Sequence, residues 1–156
     1  MSKFAQAFGE SYQQHKLSII SRSFQLGEHT FKVRVPSVGE IEDIFNYENK
    51  ISDADIDVKY NALISTLKTL DNDNIVKSDN DIVIDGRSMR ETAKTQLVLQ
   101  HRILQYFKLL IPENGQSLDD LTYEDIQTEF PIAIQMQFID KINEVISPDY
   151  KESRGK

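Results

Sequence analysis

The first clear pattern in the chain is a strict alternation of apolar and polar residues. It occupies residues 23–26 and 31–35, and Gly27 lies between the two runs. Alternation with a period of two is typical of strands, and a short loop with glycine commonly joins two strands into a hairpin. The sequence therefore predicts a β-hairpin at about residues 23–35. Pro36 ends its second strand, because proline cannot donate to the ladder.

Most other apolar residues recur every three or four positions, which indicates amphipathic helices. We predict helices at about residues 38–49, 53–70, 91–110, 122–129 and 131–146. Ser37 lies three residues before Glu40, which is the spacing of a capping box, and Thr122 with Asp125 makes a similar helix start. Pro131 suits the first turn of the last helix.

A second short hairpin is predicted before the long helix. Residues 82–84 are β-forming, and Asp85-Gly86 is a common turn pair. This interpretation places Met89 on the return strand. The predicted fold class is mainly α, with amphipathic helices forming one small domain with an N-terminal β-hairpin and this second hairpin.

The chain ends are expected to differ from this domain. We place a single, mostly helical domain at residues 21–148 and a polar, disordered tail at residues 149–156. Residues 1–20 are interpreted as an N-terminal arm that is either flexible or partner-binding.

Three aromatic residues give the arm its one distinctive feature. Phe4, Phe8 and Tyr12 are spaced by four residues, so a helix would align them on one face. Gly9 weakens such a helix. Two hypotheses remain open, which are a frayed terminus and an arm that becomes ordered against a partner. Under the second, these three aromatics are the partner-binding residues.

Charge and composition exclude several classes of protein. The 156 residues include 18 Lys and Arg against 25 Asp and Glu, a formal net charge of −7, with no basic patch to offset it. Such a surface repels nucleic-acid phosphates. There is no cysteine, which excludes disulfides and thiolate metal sites. The sequence has neither a membrane-spanning run nor the apolar core of a signal peptide near its first residue, so we expect a soluble, cytoplasmic protein.

Residue patterns for chemistry are equally sparse. An EF-hand loop starting at Asp71 or at Asp81 lacks ligands at required positions. His15, His29 and His101 are far apart, and we interpret His101 as a histidine on a helix face. The only Gly-Lys pair lies at residues 155–156, so it cannot form a phosphate-binding loop. We therefore expect a protein that is not an enzyme, with no catalytic residue, metal, cofactor or small-molecule substrate.

One stretch resembles a known family. Phe24-Gln25-Leu26-Gly27, followed by the run from His29 to Glu40 (HTFKVRVPSVGE), resembles the start of the tail assembly chaperones of long-tailed, siphovirus-like bacteriophages. Those proteins often open with such a hairpin and enter a helix through a serine or threonine, an apolar residue, glycine and glutamate. The resemblance covers about residues 24–45 by motif and the rest by architecture.

This resemblance implies a function without covalent chemistry. It implies a chaperone that binds the tape measure protein, keeps it soluble and helps recruit the major tail tube protein. Such a chaperone forms homo-oligomers, works in the host cytoplasm and is absent from the mature virion. The alternatives are a small structural or connector protein retained in the tail, and a metal-dependent phosphodiesterase that uses the Asp clusters.

Overall fold

The structure, a computed structural model, describes residues 2–65 and 73–147 of the chain. Helices dominate it, and short antiparallel strands join them. The helices are α1 (Lys3–Ile20), α2 (Val38–Asn46), α3 (Asp53–Ile64), α4 (Met89–Phe107), α5 (Tyr123–Glu129) and α6 (Ile132–Ile146), with a 3₁₀ helix at Tyr47–Lys50. The strands are β1 (Ser21–Leu26), β2 (His29–Arg34), β3 (Ile75–Lys77), β4 (Ile82–Ile84) and β5 (Arg87–Ser88). The predicted fold class, mainly α with an N-terminal hairpin and a second short hairpin, is confirmed.

Contacts group the described residues into two compact units. The first unit is formed by the described residues of Met1–Glu40 and Ile103–Lys156, and the second by those of Ile41–Arg102. Both divisions fall inside the single domain that we predicted at residues 21–148. The second unit is thus one continuous stretch, whereas the first is made from two separate stretches.

An aromatic cluster forms the core of the first unit. Phe138 of α6 is only 1% exposed, and its ring centroid lies 5.0 Å from that of Phe31, 4.8 Å from that of Phe107 and 5.0 Å from that of Phe130. Phe24 meets it edge-on at 6.2 Å. Tilted and edge-to-face rings at these separations attract each other beyond the area they bury. The hairpin is therefore fixed to α6 by its two phenylalanines.

Strand β2 lies between two other segments of backbone. It pairs with β1 along one edge, with Phe24 opposite Phe31. On its other edge, Val33 bridges to Leu110, and the N–H of Arg34 donates to the Leu109 carbonyl at 2.8 Å. Val33 is fully buried as a result. The backbone at Leu109 and Leu110 thus pairs with the second edge of β2, although it lies far from the hairpin in the sequence.

The second unit has a smaller aliphatic core. Tyr60 and Ile64 of α3 are buried together with Ile82 of β4 and Ala93 of α4. Strands β3, β4 and β5 form a three-stranded antiparallel sheet in that order. Ile56 and Leu63 of α3 are partly buried against the same cluster, so within the described residues α3 turns one face, at helical spacing, towards this core.

Asp81 joins the sheet of the second unit to α4. Its carboxylate accepts the backbone N–H of Ile82 at 2.8 Å and that of Arg90 at 3.0 Å, and it also accepts the Ser88 hydroxyl. Burial acts to raise the pKa of Asp81, but these hydrogen bonds outweigh it and the pKa is lowered. Asp81 therefore has a structural role here as an ionised cap.

Several predicted boundaries need correction. Met89 is not on the return strand, because that strand is β5 and Met89 begins α4. The reason is a helix cap, since the Ser88 hydroxyl accepts the N–H of Glu91 at 3.2 Å. The strand β3 was not predicted. The predicted end of the helix over residues 53–70 and the predicted tail at residues 149–156 lie outside the described residues.

Candidate partner-binding surface

Helix α1 contains the residues of the predicted arm. Ser2 caps the helix, because its hydroxyl accepts the N–H of Ala5 at 3.1 Å. The helix is interrupted at Gly9, where φ is 74° and ψ is −164°. Only glycine adopts such a conformation without strain. The arm is thus two helical pieces joined at a bend.

The three predicted aromatics come together across this bend. The ring centroids of Phe4 and Phe8 lie 4.6 Å apart, those of Phe4 and Tyr12 lie 5.0 Å apart, and those of Phe8 and Tyr12 lie 6.4 Å apart. We call this group the α1 aromatic cluster. The structure therefore brings together all three residues that the spacing singled out.

Two rings of the cluster are largely uncovered by the part of the chain that the structure describes, and Tyr12 is half-buried. Phe4 is 57% exposed and Phe8 is 60% exposed. Farther along α1, Leu17 and Ile19 are 50% and 60% exposed, and Ala5 is the one buried residue of the helix. A short helix without a packed face is marginal in water, so this apolar surface is suited to a partner.

The junction between the hairpin and α2 is built by Arg34, Ser37 and Glu40. The guanidinium of Arg34 donates two hydrogen bonds of 2.8 Å to the carboxylate of Glu40. Ser37 and Glu40 also form the predicted capping box, with the Ser37 hydroxyl accepting the Glu40 N–H at 3.2 Å and the Glu40 carboxylate accepting the Ser37 N–H at 3.1 Å.

The electrostatics of this junction follow from its hydrogen bonds. The hydrogen bonds from the Arg34 guanidinium lower the pKa of Glu40 to about 2. Burial acts to raise this pKa, and the hydrogen bond from the Ser37 backbone N–H lowers it further. The same pair raises the pKa of Arg34. A bidentate pair restricts the angle between two groups more than a single ion pair does. It ties the end of β2 to the first turn of α2.

The other residues singled out in the sequence have structural partners. His101 stacks on Tyr47 at 3.6 Å in the second unit, as expected of a histidine on a helix face. His29 lies 3.2 Å from the carboxylate of Glu113 in the first unit. His15 bonds the backbone carbonyl of Ser11 within α1. Each histidine therefore has a local partner of its own.

The acidic clusters also have local explanations. Asp57 pairs with Arg90 at 2.6 Å, and Asp125 accepts the N–H of Thr122 at 2.9 Å in a capping box. Within residues 2–65 and 73–147, no group of three or more His, Asp or Glu side chains is arranged to hold a metal ion. Asp71, where one candidate calcium loop starts, lies outside these ranges.

Sequence reasoning missed two features of potential functional interest. One is the pairing of Arg34 with Glu40, for which the only signal was a basic residue at the end of a strand just before a capping box. The other is a groove along α4 with an unsatisfied arginine, Arg102. No short motif marks such a groove, because it depends on which face of α4 stays uncovered.

Three comparisons place these features against known proteins. No family model, no curated protein and no solved structure matches the chain. None of the helices in the described part of the chain has the length and apolar character needed to cross a membrane.

Proposed function

We propose that the protein is a tail assembly chaperone of a long-tailed bacteriophage. In this role it binds the tape measure protein, keeps it soluble and helps recruit the major tail tube protein. It acts in the host cytoplasm and leaves before the virion is complete. The sequence resemblance at residues 24–45 suggests the family, and the α1 aromatic cluster is the observation that carries the binding role.

The α1 aromatic cluster supports this proposal because Phe4 and Phe8 offer apolar area that the described residues leave exposed. Tape measure proteins are long helical chains with exposed apolar seams, which aggregate unless they are covered. Buried aromatic residues are frequent anchors of protein interfaces. Phe4, Phe8 and Tyr12 contact one another although α1 bends at Gly9, so the three rings form one group.

The hairpin junction supports the proposal in a different way. The residues through which the chain resembles the family include Arg34, Ser37 and Glu40, and these three bond to one another. The motif therefore has a structural task, which is to fix how α2 begins. This explains why such a motif is useful in a binding protein without any catalytic group.

The decisive experiment is co-expression with the tape measure protein of the same phage. We expect the soluble fraction of the tape measure protein to rise several-fold when the chaperone is present. The double variant Phe4→Ala and Phe8→Ala should lose most of this effect, while the matched control Gln13→Ala and Gln14→Ala on the same helix should keep it. An unchanged soluble fraction with the wild-type chain would contradict the proposal.

A second measurement separates the chaperone from a retained connector. Mass spectrometry of purified virions should find no peptides of this chain, although infected cells contain it. Stoichiometric amounts in the virion would favour the connector protein instead.

A further inference from the structure

The loop between α4 and α5 in the first unit carries an asparagine followed by glycine. Asn114 is the only asparagine of the chain with glycine as its next residue. Residues 113–117 are all exposed. A Cβ atom added at Gly115 would meet no described atom within 4 Å, apart from its own chain neighbours. The backbone nitrogen of Gly115 is therefore open to its surroundings, and no side chain of residue 115 shields it.

The side chain of Asn114 folds back along the main chain. Its Oδ1 accepts the backbone N–H of Gln116 at 3.2 Å, which is the hydrogen bond of an Asx turn. Because the Gly115 nitrogen lies between these two residues in the chain, the bond holds the Asn114 side chain on the side of that nitrogen. The hydrogen bond also draws electrons from the side-chain carbonyl, so Cγ becomes a better electrophile.

We propose that Asn114 is a site of spontaneous deamidation. The backbone nitrogen of Gly115 loses its proton to a base in the solvent and attacks Cγ of Asn114. A bond forms between that nitrogen and Cγ, while the bond between Cγ and Nδ2 breaks. Nδ2 takes a proton from water and leaves as ammonia, so the product is a cyclic succinimide.

Water then opens the succinimide at either of its carbonyl carbons. Addition at Cγ gives aspartate and restores the main chain, whereas addition at the backbone carbonyl carbon gives isoaspartate, whose main chain runs through Cβ and Cγ. Both products exchange an amide for a carboxylate, which adds one negative charge to the net charge of −7. The reaction consumes only water and releases ammonia, so it needs no oxidant and no enzyme.

The new charge appears next to the segment that pairs with the N-terminal hairpin. The carboxylate of the adjacent Glu113 lies 3.2 Å from Nε2 of His29. Just before it in the chain, the N–H of Ile111 donates to the Lys32 carbonyl of β2 at 2.8 Å. The inference does not depend on the proposed function, because it concerns the chemistry of this loop and not the α1 aromatic cluster.

Asn80 provides an internal comparison within the same chain. It is also exposed and lies in a loop, between β3 and β4. The next residue is Asp81, whose backbone N–H donates to the Ser78 hydroxyl at 3.1 Å, and its side chain crowds the same nitrogen. The nitrogen that would have to attack is therefore engaged. We expect Asn80 to deamidate at least about tenfold more slowly than Asn114, a difference of about 1.4 kcal/mol in the barrier.

The test is timed incubation of the full-length protein at physiological temperature and neutral pH. Peptide mapping by mass spectrometry should show Asn114 converted into a mixture of aspartate and isoaspartate, while Asn80 stays largely intact. A synthetic peptide of residues 111–118 gives the rate without the fold, and the rate in the protein should lie within about tenfold of it. A larger reduction would show that the folded loop protects Asn114, and equal rates at Asn114 and Asn80 would also overturn the proposal.

Substitutions in the loop then assign the charge change to this residue. Ion-exchange chromatography should resolve a more acidic species that accumulates in the wild-type protein. Asn114→Gln should abolish it, because the longer side chain cyclises far more slowly. The matched control Gln116→Ala keeps the backbone N–H that bonds Oδ1, so it should form the acidic species at the wild-type rate. If Asn114→Gln forms that species as fast as the wild type does, the charge arises elsewhere and the proposal is wrong.

Discussion

At the scale of single residues, Glu40 gives the protein a specific dependence on acid. Its pKa is lowered from 4.5 to about 2 in the folded chain. A lowered pKa means that the carboxylate stabilises the fold fully above pH 4.5, and that this stabilisation is lost as the pH falls from 4.5 towards 2. The side chain is 43% exposed, so solvent screening limits the effect to about 1 kcal/mol.

The variant Glu40→Gln should therefore lower the free energy of unfolding by about 1 kcal/mol at neutral pH. It should also flatten the fall in stability between pH 4.5 and 2, since the titrating group is gone. Urea unfolding at a series of pH values measures both effects. Glu42→Gln, on the exposed side of α2, is the control and should change the free energy of unfolding at neutral pH by less than about 0.5 kcal/mol.

Gln135 is the second residue with a large expected effect. It is 2% exposed in the first turn of α6, where its amide accepts from the Tyr123 hydroxyl and donates to the Phe130 carbonyl, both at 2.9 Å. Gln135→Leu would leave two polar groups without partners and should cost about 2 kcal/mol of stability. Thermal unfolding monitored by circular dichroism tests this.

The neighbouring exposed residue provides the comparison. Gln137→Leu makes the same chemical change on the solvent side of α6 and should change stability by less than about 0.5 kcal/mol. Equal losses for both variants would show that the buried hydrogen bonds of Gln135 do not stabilise α6.

Individual residues were predictable only where a local rule applied. The capping residues Ser37 and Thr122 were found because their partners lie three positions away in the sequence. The buried position of Gln135 was not predictable, because its partners lie outside α6. A polar residue in a helix is normally expected to face solvent. The same reason hid the bond between Arg34 and Glu40.

At the scale of elements, α1 is the helix whose role can be tested by removal. Among the described residues it buries only Ala5, and it leaves Phe4 and Phe8 of the α1 aromatic cluster largely exposed. Deleting residues 1–16 should therefore leave the melting temperature of the remaining chain nearly unchanged. If a neighbouring copy covers the cluster, the deletion should also reduce self-association, and sedimentation velocity measures this.

The paired substitution Phe4→Ala and Phe8→Ala should act like the deletion, because it removes the apolar area while keeping the helix. Gln13→Ala and Gln14→Ala serve as the control. Identical sedimentation of the full-length and deleted chains, with a much lower melting temperature for the deletion, would mean that the aromatics belong to the core of the monomer.

Elements were predicted well where the periodicity was strong. The first hairpin and most helices appear close to the predicted positions, because alternation and helical spacing report directly on one buried face. Strand β3 has only three residues, too few to show any period. Helix α4 begins at Met89, two residues before the predicted start, because Ser88 both ends β5 and caps the helix.

At the scale of the whole molecule, the response to metal ions is a direct test of the acidic residues. The net charge is −7, yet within the described residues no group of three or more His, Asp or Glu side chains is arranged to hold a metal ion. We expect calcium or magnesium to leave the melting temperature unchanged. A specific site filled at ~100 times its dissociation constant would add about 2.7 kcal/mol, which differential scanning calorimetry detects readily.

The division into two units could not be predicted from the sequence. It depends on the pairing of Val33 with Leu110, and neither residue carries a signal for the other. Long-range strand pairing is decided by tertiary packing, here by the rings around Phe138, and not by local spacing.

That pairing has a consequence for the order of events during synthesis. Residues 41–102 leave the ribosome as one uninterrupted stretch and already contain every partner of their own core. The hairpin emerges earlier but must wait for residues 109–111 and for α6 before its phenylalanines are covered. During translation the early part of the chain therefore spends time with its apolar face open, while the middle part can already be folded.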